Sequence, residues 1–393
     1  MGSLLASDKN RMRMNKIFLG VIAGMLAAAL TLPATSQTLQ TREHTVRVVT
    51  VTSGLVNPWS LTFLPDGRML VTERAGRLRM IAKDGTLEVR PVEGLPRVDA
   101  QGQGGLLEVA LHPKVADNNW IYLTYAQRDE SGANGTEVAR GKLTGTPGNY
   151  RLLQVETLFR MQPKSNAGEH FGSRIVFDRD GLMYVTLGDR GEKKRAQDLG
   201  DLAGKILRLT DTGKPAPGNP FAGNEKARAE IYSLGNRNVQ GAALHPTTGV
   251  LWATEHGPQG GDELNVIKAG TNYGWPVITY GVNYGIGTRI GEGTAKDGLA
   301  QPRKQWTPSP ALSGLAFYTG DKFPKWRGDL LLGALRAQSL IRVRLDGEKV
   351  VEDEFMLVGQ LPRVRDVRVG PDGYVYLLSD QQNGAVLRLE PAR

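Results

Sequence analysis

The chain has 393 residues, no cysteine and only five histidines, and its 49 lysines and arginines outnumber its 40 acidic residues to give a formal charge of +9. The lack of cysteine excludes disulfides, thiolate catalysis and cysteine-bound metal centres. With 40% hydrophobic and 23% charged residues, the composition is that of a globular protein with a substantial core. The basic residues are spread along the chain without a matching aromatic stripe, so we expect no nucleic-acid partner.

The N-terminal segment has the pattern of a secretory signal peptide. A basic start that includes Lys9 and Lys16 precedes an uncharged, mostly apolar run over residues 17–32, and the small residues Ala34 and Ser36 follow. We therefore predict that residues 1–36 direct export to the periplasm or the medium, with an uncleaved signal anchor as the alternative. No second hydrophobic run reaches the length of a membrane span, so the remaining chain is expected to have no stable membrane-spanning segment.

The rest of the chain repeats one pattern, in which a short apolar stretch, a tight turn and a second apolar stretch follow each other. Pro65-Asp66-Gly67 and Pro371-Asp372-Gly373 are two of these turns, and such residues favour a tight reversal between strands. Six such units begin between positions 61 and 367, at a mean spacing of about 61 residues. This period predicts an all-β fold, a six-bladed β-propeller formed by residues 37–393 as one domain. A pair of β-sandwiches is the alternative.

Among the histidines, His170 has the best placed partner. His112 and His245 stand in matching His-Pro turns and are explained by turn structure, and His44 lies in the first strand. Asp189 follows His170 by 19 residues, at the far end of the same predicted hairpin, so the two side chains are expected to meet. A carboxylate beside a histidine orients the ring, which suits a general base.

Two further features of the sequence could carry chemistry. The segment from Thr254 to Glu263, which contains His256, is rich in carboxylates and glycine carbonyls, as calcium-binding loops are. Arginines also recur at strand edges in different units, either as a site for a polyanion at the channel mouth or as ordinary solvated surface residues. These arginines are Arg237, Arg336, Arg363 and Arg365.

Nine motifs together resemble the soluble aldose sugar dehydrogenases that depend on pyrroloquinoline quinone (PQQ), a family similar also to soluble glucose dehydrogenases. They occur in the family's order over nearly all of the chain after residue 36. The motifs are Gly102–Leu107, His170–Arg174, Ala196–Leu199 with Gly204-Lys205, Asn219–Phe221, Arg237–Gly241, Glu255–Pro258 with Gly261–Glu263, Asn272–Pro276, Ser313–Tyr318 and Arg363–Val367.

The resemblance implies a role for individual residues. The residues that would hold PQQ, which carries three carboxylates, are Gln103, Arg237, Asn238, Arg336, Arg363 and Arg365, with Tyr284 beside the cofactor. The carbonyls of Gly257 and Pro258 would bind the calcium that accompanies PQQ, and Glu263 and Tyr273 would belong to a second, structural calcium site.

In that family's chemistry, His170 would be the base and Asp189 its partner, while Arg237 would stabilise the growing negative charge. The expected reaction is oxidation of an aldose at C1 to the aldonolactone, with an external acceptor that removes the electrons. Two departures stand out, because Arg336 replaces a common lysine and Asp189 replaces the glutamate of close aldose-branch relatives.

Two other functions remain compatible with the residues alone. A calcium-dependent six-bladed lactonase would not need several arginines that converge with Gln103, and a non-catalytic binding propeller would not need His170 beside Asp189. The resemblance also implies a monomer that acts on aldose sugars.

Overall fold

The structure, a computed structural model, describes residues 38–392. Its strands form six antiparallel sheets, which confirms the predicted all-β, six-bladed propeller. The predicted signal peptide of residues 1–36 lies outside the described residues.

The strands follow the repeat along the chain. The strands before the first full blade are β1 (Thr38–Gln40) and β2 (Thr45–Leu55). Blades one and two contain β3 (Pro58–Phe63), β4 (Met69–Glu73) and β5 (Arg77–Ile81), then β6 (Leu106–Leu111), β7 (Trp120–Arg128), β8 (Asn134–Thr144) and β9 (Arg151–Arg160). Blades three and four contain β10 (Ile175–Phe177), β11 (Met183–Thr186), β12 (Lys205–Leu209) and β13 (Ile231–Leu234), then β14 (Val239–Leu244), β15 (Leu251–Glu255), β16 (Asp262–Ile267) and β17 (Lys304–Trp306). Blades five and six contain β18 (Leu312–Phe317), β19 (Leu330–Ala334), β20 (Ser339–Asp346) and β21 (Lys349–Met356), then β22 (Val364–Val369), β23 (Val375–Ser379) and β24 (Gly384–Pro391).

Helical structure is confined to three short segments in the part of the chain that is described. They are an α-helix, α1 (Val115–Asn118), and two 3₁₀ helices over Lys193–Gln197 and Pro324–Trp326. Between residues 38 and 392, no helix has the length and apolar character needed to cross a membrane.

The turn chemistry explains why the blades form where the sequence predicts them. Gly67 adopts a left-handed φ of 89° after Pro65-Asp66, and its N–H donates to the Leu64 carbonyl at 2.9 Å, which reverses the chain between β3 and β4. In these two strands Leu61 pairs with Val71, and both side chains are fully buried. Burial of such paired side chains between neighbouring sheets supplies the hydrophobic core.

The two ends of the chain close the ring. Strand β2 pairs with β24, so the last blade contains strands from both ends of the described chain. The first strand of each blade lies at the centre, and each contacts the first strand of the next blade, in the order β3, β6, β10, β14, β18, β22 and back to β3. All six inner strands therefore begin at one end of the central channel.

A network of charged side chains, the channel network, connects inner strands of three blades. Arg174 lies 2.8 Å from Glu108 and 3.0 Å from Asp366, and Arg368 lies 2.6 Å and 2.9 Å from the same two carboxylates. Two cations thus balance two anions, as buried charges require. The network joins the inner strands β6 and β22 to Arg174, the residue before β10.

Candidate active site

A cavity of about 400 Å³ lies at the end of the propeller where the inner strands begin. Its wall receives residues from the start of every blade, because each inner strand enters the ring there. The lining residues are Asn57, Trp59, Arg74, Gln103, Leu107, Phe171, Gly172, Asn238, Gln240, His256, Ala311, Leu335, Arg363, Arg365 and Asp380. The size suits a small organic ligand.

His170 and Asp189 meet beside this cavity, as the hairpin spacing predicts. His170 Nδ1 lies 2.6 Å from Asp189 Oδ1, and the histidine side chain is 12% exposed. The main-chain N–H of His170 donates to Gln103 Oε1 at 3.1 Å, and the next residue, Phe171, lines the cavity. Since Nδ1 is engaged by the carboxylate, the Nε2 atom is the one left to exchange a proton with a substrate.

Asp189 is a buried carboxylate that three donors hold in place. Besides the His170 contact, its Oδ1 accepts the Gly191 N–H at 2.8 Å, and its Oδ2 accepts the Trp275 indole N–H at 2.7 Å. Burial alone would raise the pKa of Asp189, but the hydrogen bond and charge of His170, the Gly191 N–H and the charge of Arg237 outweigh it, so its pKa lies below the ordinary value. The carboxylate therefore stays ionised and fixes the ring of His170.

One side of the cavity is rich in arginine. Arg365 donates to Asp380 Oδ2 at 2.7 Å, and Arg363 donates to the same oxygen at 3.1 Å, so one carboxylate is shared by two cations. Burial lowers the pKa of Arg365, although the charge of Asp380 opposes this effect. Arg74 adds a third cation, whose only acceptor among the described residues is the Gly102 carbonyl at 2.9 Å. The wall therefore carries more positive than negative charge, which favours a polyanionic ligand.

Arg237 faces a second, much smaller cavity of about 10 Å³ next to the first. Its Nη1 donates to the His256 carbonyl at 3.2 Å, and its guanidinium lies 5.4 Å from the centre of the Trp275 ring. The Arg237 carbonyl also accepts the Asp189 N–H at 2.8 Å, so Arg237 contacts both Asp189 and the neighbouring oxygen-rich loop.

The oxygen-rich loop offers ligands for a hard cation. The carbonyl oxygens of Gly257 and Pro258 receive no hydrogen bond within residues 38–392. Glu255 and Glu263 both accept from the Asn265 amide, at 3.2 Å and 3.1 Å. Burial and then the charge of Glu255 raise the pKa of Glu263 to about 8. Two carboxylates that share a buried site and form no salt bridge among the described residues are typical of cation ligands.

The donors around Glu255 support this interpretation. The amide oxygens of Asn236 and Asn265 are buried without a hydrogen-bond partner, although the nitrogen of each donates to Glu255. Oxygens in this state are suitable cation ligands, because a bound cation would satisfy them. Tyr273 lines the same small cavity, but its hydroxyl donates to the Val266 carbonyl, so only its main-chain oxygen is available. Among the described residues, no three histidine or acidic side chains converge as a metal cluster, so main-chain and amide oxygens must contribute to any such site.

Two predicted cofactor residues lie outside the cavity lining. Leu335 lines the cavity, and the next residue, Arg336, is exposed. Tyr284 is 68% exposed on the loop that follows Val282. The structure therefore brings Gln103, Asn238, Arg363 and Arg365 together on one wall, with Arg237 on the adjoining small cavity, but it does not add Arg336 or Tyr284 to them.

Several residues of the site were missed by the sequence reasoning. Arg74, Gln240 and Asp380 line the cavity, and Trp275 holds Asp189. Trp275 belongs to a motif of the resemblance, but its partner is 86 residues away in sequence, and nothing local indicates the contact. Arg74 comes just after the first predicted hairpin, and this end of the hairpin lies beside the channel mouth. That position was the sequence signal for a residue of the cavity.

Comparison with known proteins shows the class to which this propeller belongs. The family model described as Glucose / Sorbosone dehydrogenase matches residues 55–388, and the chain belongs to that family.

Individual members of the family are similar over most of their length. The aldose sugar dehydrogenase YliI of Escherichia coli (strain K12) is 44% identical over 359 residues, which cover 91% of this chain and 96% of the relative. Quinoprotein glucose dehydrogenase B of Acinetobacter calcoaceticus is 28% identical, over 93% and 94% of the two chains.

Solved structures agree with the fold. The apo form of the soluble aldose sugar dehydrogenase (Asd) from Escherichia coli superposes with a TM-score of 0.85 at 43% identity, over 88% of this chain and all of the other. The PQQ-bound form of the aldose sugar dehydrogenase (Adh) from Streptomyces coelicolor gives a TM-score of 0.73 at 31% identity, over 88% and 98%.

Proposed function

We propose that the protein is a PQQ-dependent aldose sugar dehydrogenase that oxidises the C1 hydroxyl of aldoses to aldonolactones and passes electrons to an external acceptor. The observation that carries this proposal is the position of the His170–Asp189 pair beside a cavity with excess positive charge. Membership of the Glucose / Sorbosone dehydrogenase family and the similarity to named aldose sugar dehydrogenases support it.

The residues of the cavity suit a flat tricarboxylate. The wall offers three guanidinium groups against one carboxylate, together with the amides of Gln103 and Asn238. A guanidinium binds carboxylates through paired N–H groups, so Arg363, Arg365 and Arg74 would hold the acidic groups of PQQ. When bound, PQQ supplies a quinone that accepts two electrons from the substrate carbon.

The protein's own part in the reaction follows from the geometry. Asp189 holds the His170 ring through Nδ1, so Nε2 presents a lone pair that can take the proton of the C1 hydroxyl. Trp275 and Gly191 keep the carboxylate in place, so the ring does not need to reorient as the proton is transferred. Arg237 supplies positive charge next to this pair where negative charge develops.

Calcium is part of the proposal. The free carbonyls of Gly257 and Pro258 would bind the ion that accompanies PQQ, and Glu263, Glu255 and the Tyr273 carbonyl would bind a second, structural ion.

We further propose that the chain is exported by means of residues 1–36. N-terminal sequencing of the protein from the producing cell would test this, because cleavage after Ser36 is expected.

The experiment that tests the function uses purified protein freed of cofactor. PQQ and calcium are added, and dye reduction is followed with glucose, xylose and other aldoses. Uptake of PQQ with sugar-dependent reduction is expected, and failure to take up PQQ would reject the proposal in favour of a lactonase or a binding propeller. His170→Ala should still bind PQQ but lose most turnover, and near-normal turnover of this variant would refute the assignment of the base.

A further inference from the structure

Gln240 lines the cavity between Arg365 and the loop that carries His170. Its Oε1 accepts from Arg365 Nη1 at 3.2 Å, and its Nε2 donates to the Gly172 carbonyl and to Asn238 Oδ1, both at 3.2 Å. Its main-chain carbonyl accepts from Arg174 Nε at 2.7 Å, which ties it to the buried channel network. The residue is 7% exposed, so all four contacts are shielded from water.

The hydrogen-bond partners of Gln240 and Asn238 determine the orientation of the two side-chain amides. Arg365 only donates, so the oxygen of Gln240 faces it, and the Gly172 carbonyl only accepts, so the nitrogen faces that side. The Gly172 N–H also donates to Asn238 Oδ1 at 3.1 Å. The Asn238 oxygen is therefore occupied by two donors, and the Asn238 amino group is the part left for a ligand in the cavity that Asn238 lines.

The same contacts hold the loop that carries the base. His170, Gly172 and Ser173 have φ values of 53°, 62° and 94°, a backbone region that is unfavourable for the two that are not glycine. Such a conformation persists only where its surroundings impose it. Here Asn238 accepts the Gly172 N–H while Gln240 donates to the Gly172 carbonyl, so both polar groups of this residue are fixed.

We propose that Gln240 is a positioning residue that couples the ligand-binding wall to the base-bearing loop. The side-chain amide of Gln240 orients the Arg365 guanidinium and directs the amino group of Asn238 toward the cavity. It also holds Gly172, two residues after His170. The inference rests on the proposed function in one respect, namely that PQQ is the ligand of this wall. The tie between Gln240 and the loop is independent of the ligand.

The test compares Gln240→Met, which keeps the length of the side chain but removes its hydrogen bonds, with Tyr318→Phe as a matched control. Tyr318→Phe removes two buried hydrogen bonds, one donated to the Gly373 carbonyl and one accepted from the Phe323 N–H, and Tyr318 does not line the cavity. Hydrogen exchange of residues 168–174 in the cofactor-free protein should be faster in Gln240→Met and unchanged in the control. Gln240→Glu has the same size and no N–H donors, and it replaces the methionine variant if that variant does not fold.

The second measurement is a PQQ titration of a double-mutant cycle with Gln240→Met and Asn238→Ala. We expect each single variant to raise the dissociation constant about tenfold, and the double variant little further, because both act through the same amide group. Additive effects, or an unchanged exchange rate in the loop, would overturn the proposal. If the parent protein takes up no PQQ, the proposed function fails, and the exchange measurement still decides the role of Gln240.

Discussion

Replacement of Asp189 by asparagine should reveal how the His170 ring is held. The carboxylate accepts from His170 and Gly191 on one oxygen and from the Trp275 indole, at 2.7 Å, on the other. An amide has only one oxygen, so Asp189→Asn must leave one side mismatched. If its oxygen faces Trp275, its amino group donates to His170 Nδ1 but opposes the Gly191 N–H, and the ring proton moves to Nε2, where no proton can then be accepted.

The opposite orientation of the amide places the mismatch at Trp275 instead. With the oxygen turned toward His170 and Gly191, the amino group would face the indole N–H, and two buried donors would oppose each other. Such a mismatch costs about 1–3 kcal/mol. Asp189→Asn is therefore expected to lower kcat, with an upper limit on the order of 10³- to 10⁴-fold, the size of effect that a wrong histidine tautomer has elsewhere.

The double variant Asp189→Asn with Trp275→Phe gives the sharper result. Phenylalanine lacks the indole donor, so the amide can turn its oxygen toward His170 and restore the productive tautomer. Since about 1.4 kcal/mol corresponds to a factor of ten, relief of a mismatch of about 1–3 kcal/mol should make the double variant faster than Asp189→Asn alone by up to about 5- to 150-fold. Dye reduction at saturating sugar and PQQ measures this, with a PQQ titration of each variant as the control. A double variant no faster than the single one would refute the reasoning.

Three further outcomes are expected. Burial lowers the pKa of Lys205 to about 7 from 10.5. Between these two pKa values Lys205 carries a proton in the unfolded chain but not in the folded protein. The free energy of unfolding therefore rises with pH across that range. Lys205→Met should lose this rise, a slope of at most about 1.4 kcal/mol per pH unit, in urea unfolding at pH 7 and pH 9. Arg74→Met should weaken PQQ binding about tenfold and reduce its salt dependence, whereas the exposed Arg90→Met should change neither, as titrations at two ionic strengths would show. Gly172→Ala should lower the free energy of unfolding by about 1–3 kcal/mol, because a Cβ would lie 2.6 Å from the Thr186 carbonyl oxygen at a φ of 62°. A thermal melt unchanged from the parent would contradict that expectation.

The sequence predicted the features that depend on neighbours along the chain. Pro-Asp-Gly turns and alternating apolar residues specify hairpins locally, and their regular recurrence gives six blades. The contact of His170 with Asp189 belongs to the same class, because both residues lie at one end of a single hairpin. Arg363 and Arg365 lie at the start of β22, where the sequence predicts a strand edge, and both line the cavity.

Arg336 lies where strand alternation no longer applies. Strand β19 ends at Ala334, and in the turn over residues 335–338 Leu335 lines the cavity while Arg336 is exposed. The sequence predicted the correct end of the blade for Arg336, but it did not determine whether the side chain faces the channel.

What the sequence determined by itself is the blade repeat, the hairpin that pairs a histidine with a carboxylate, and a set of arginines near strand ends. What only the tertiary structure decided is the contacts between blades, such as Trp275 with Asp189 and Gln240 with Arg365, whose partners are 86 and 125 residues apart. The physical reason is that turns and strand alternation act over a few residues. The distance between side chains on different blades, by contrast, depends on the packing and closure of the whole ring.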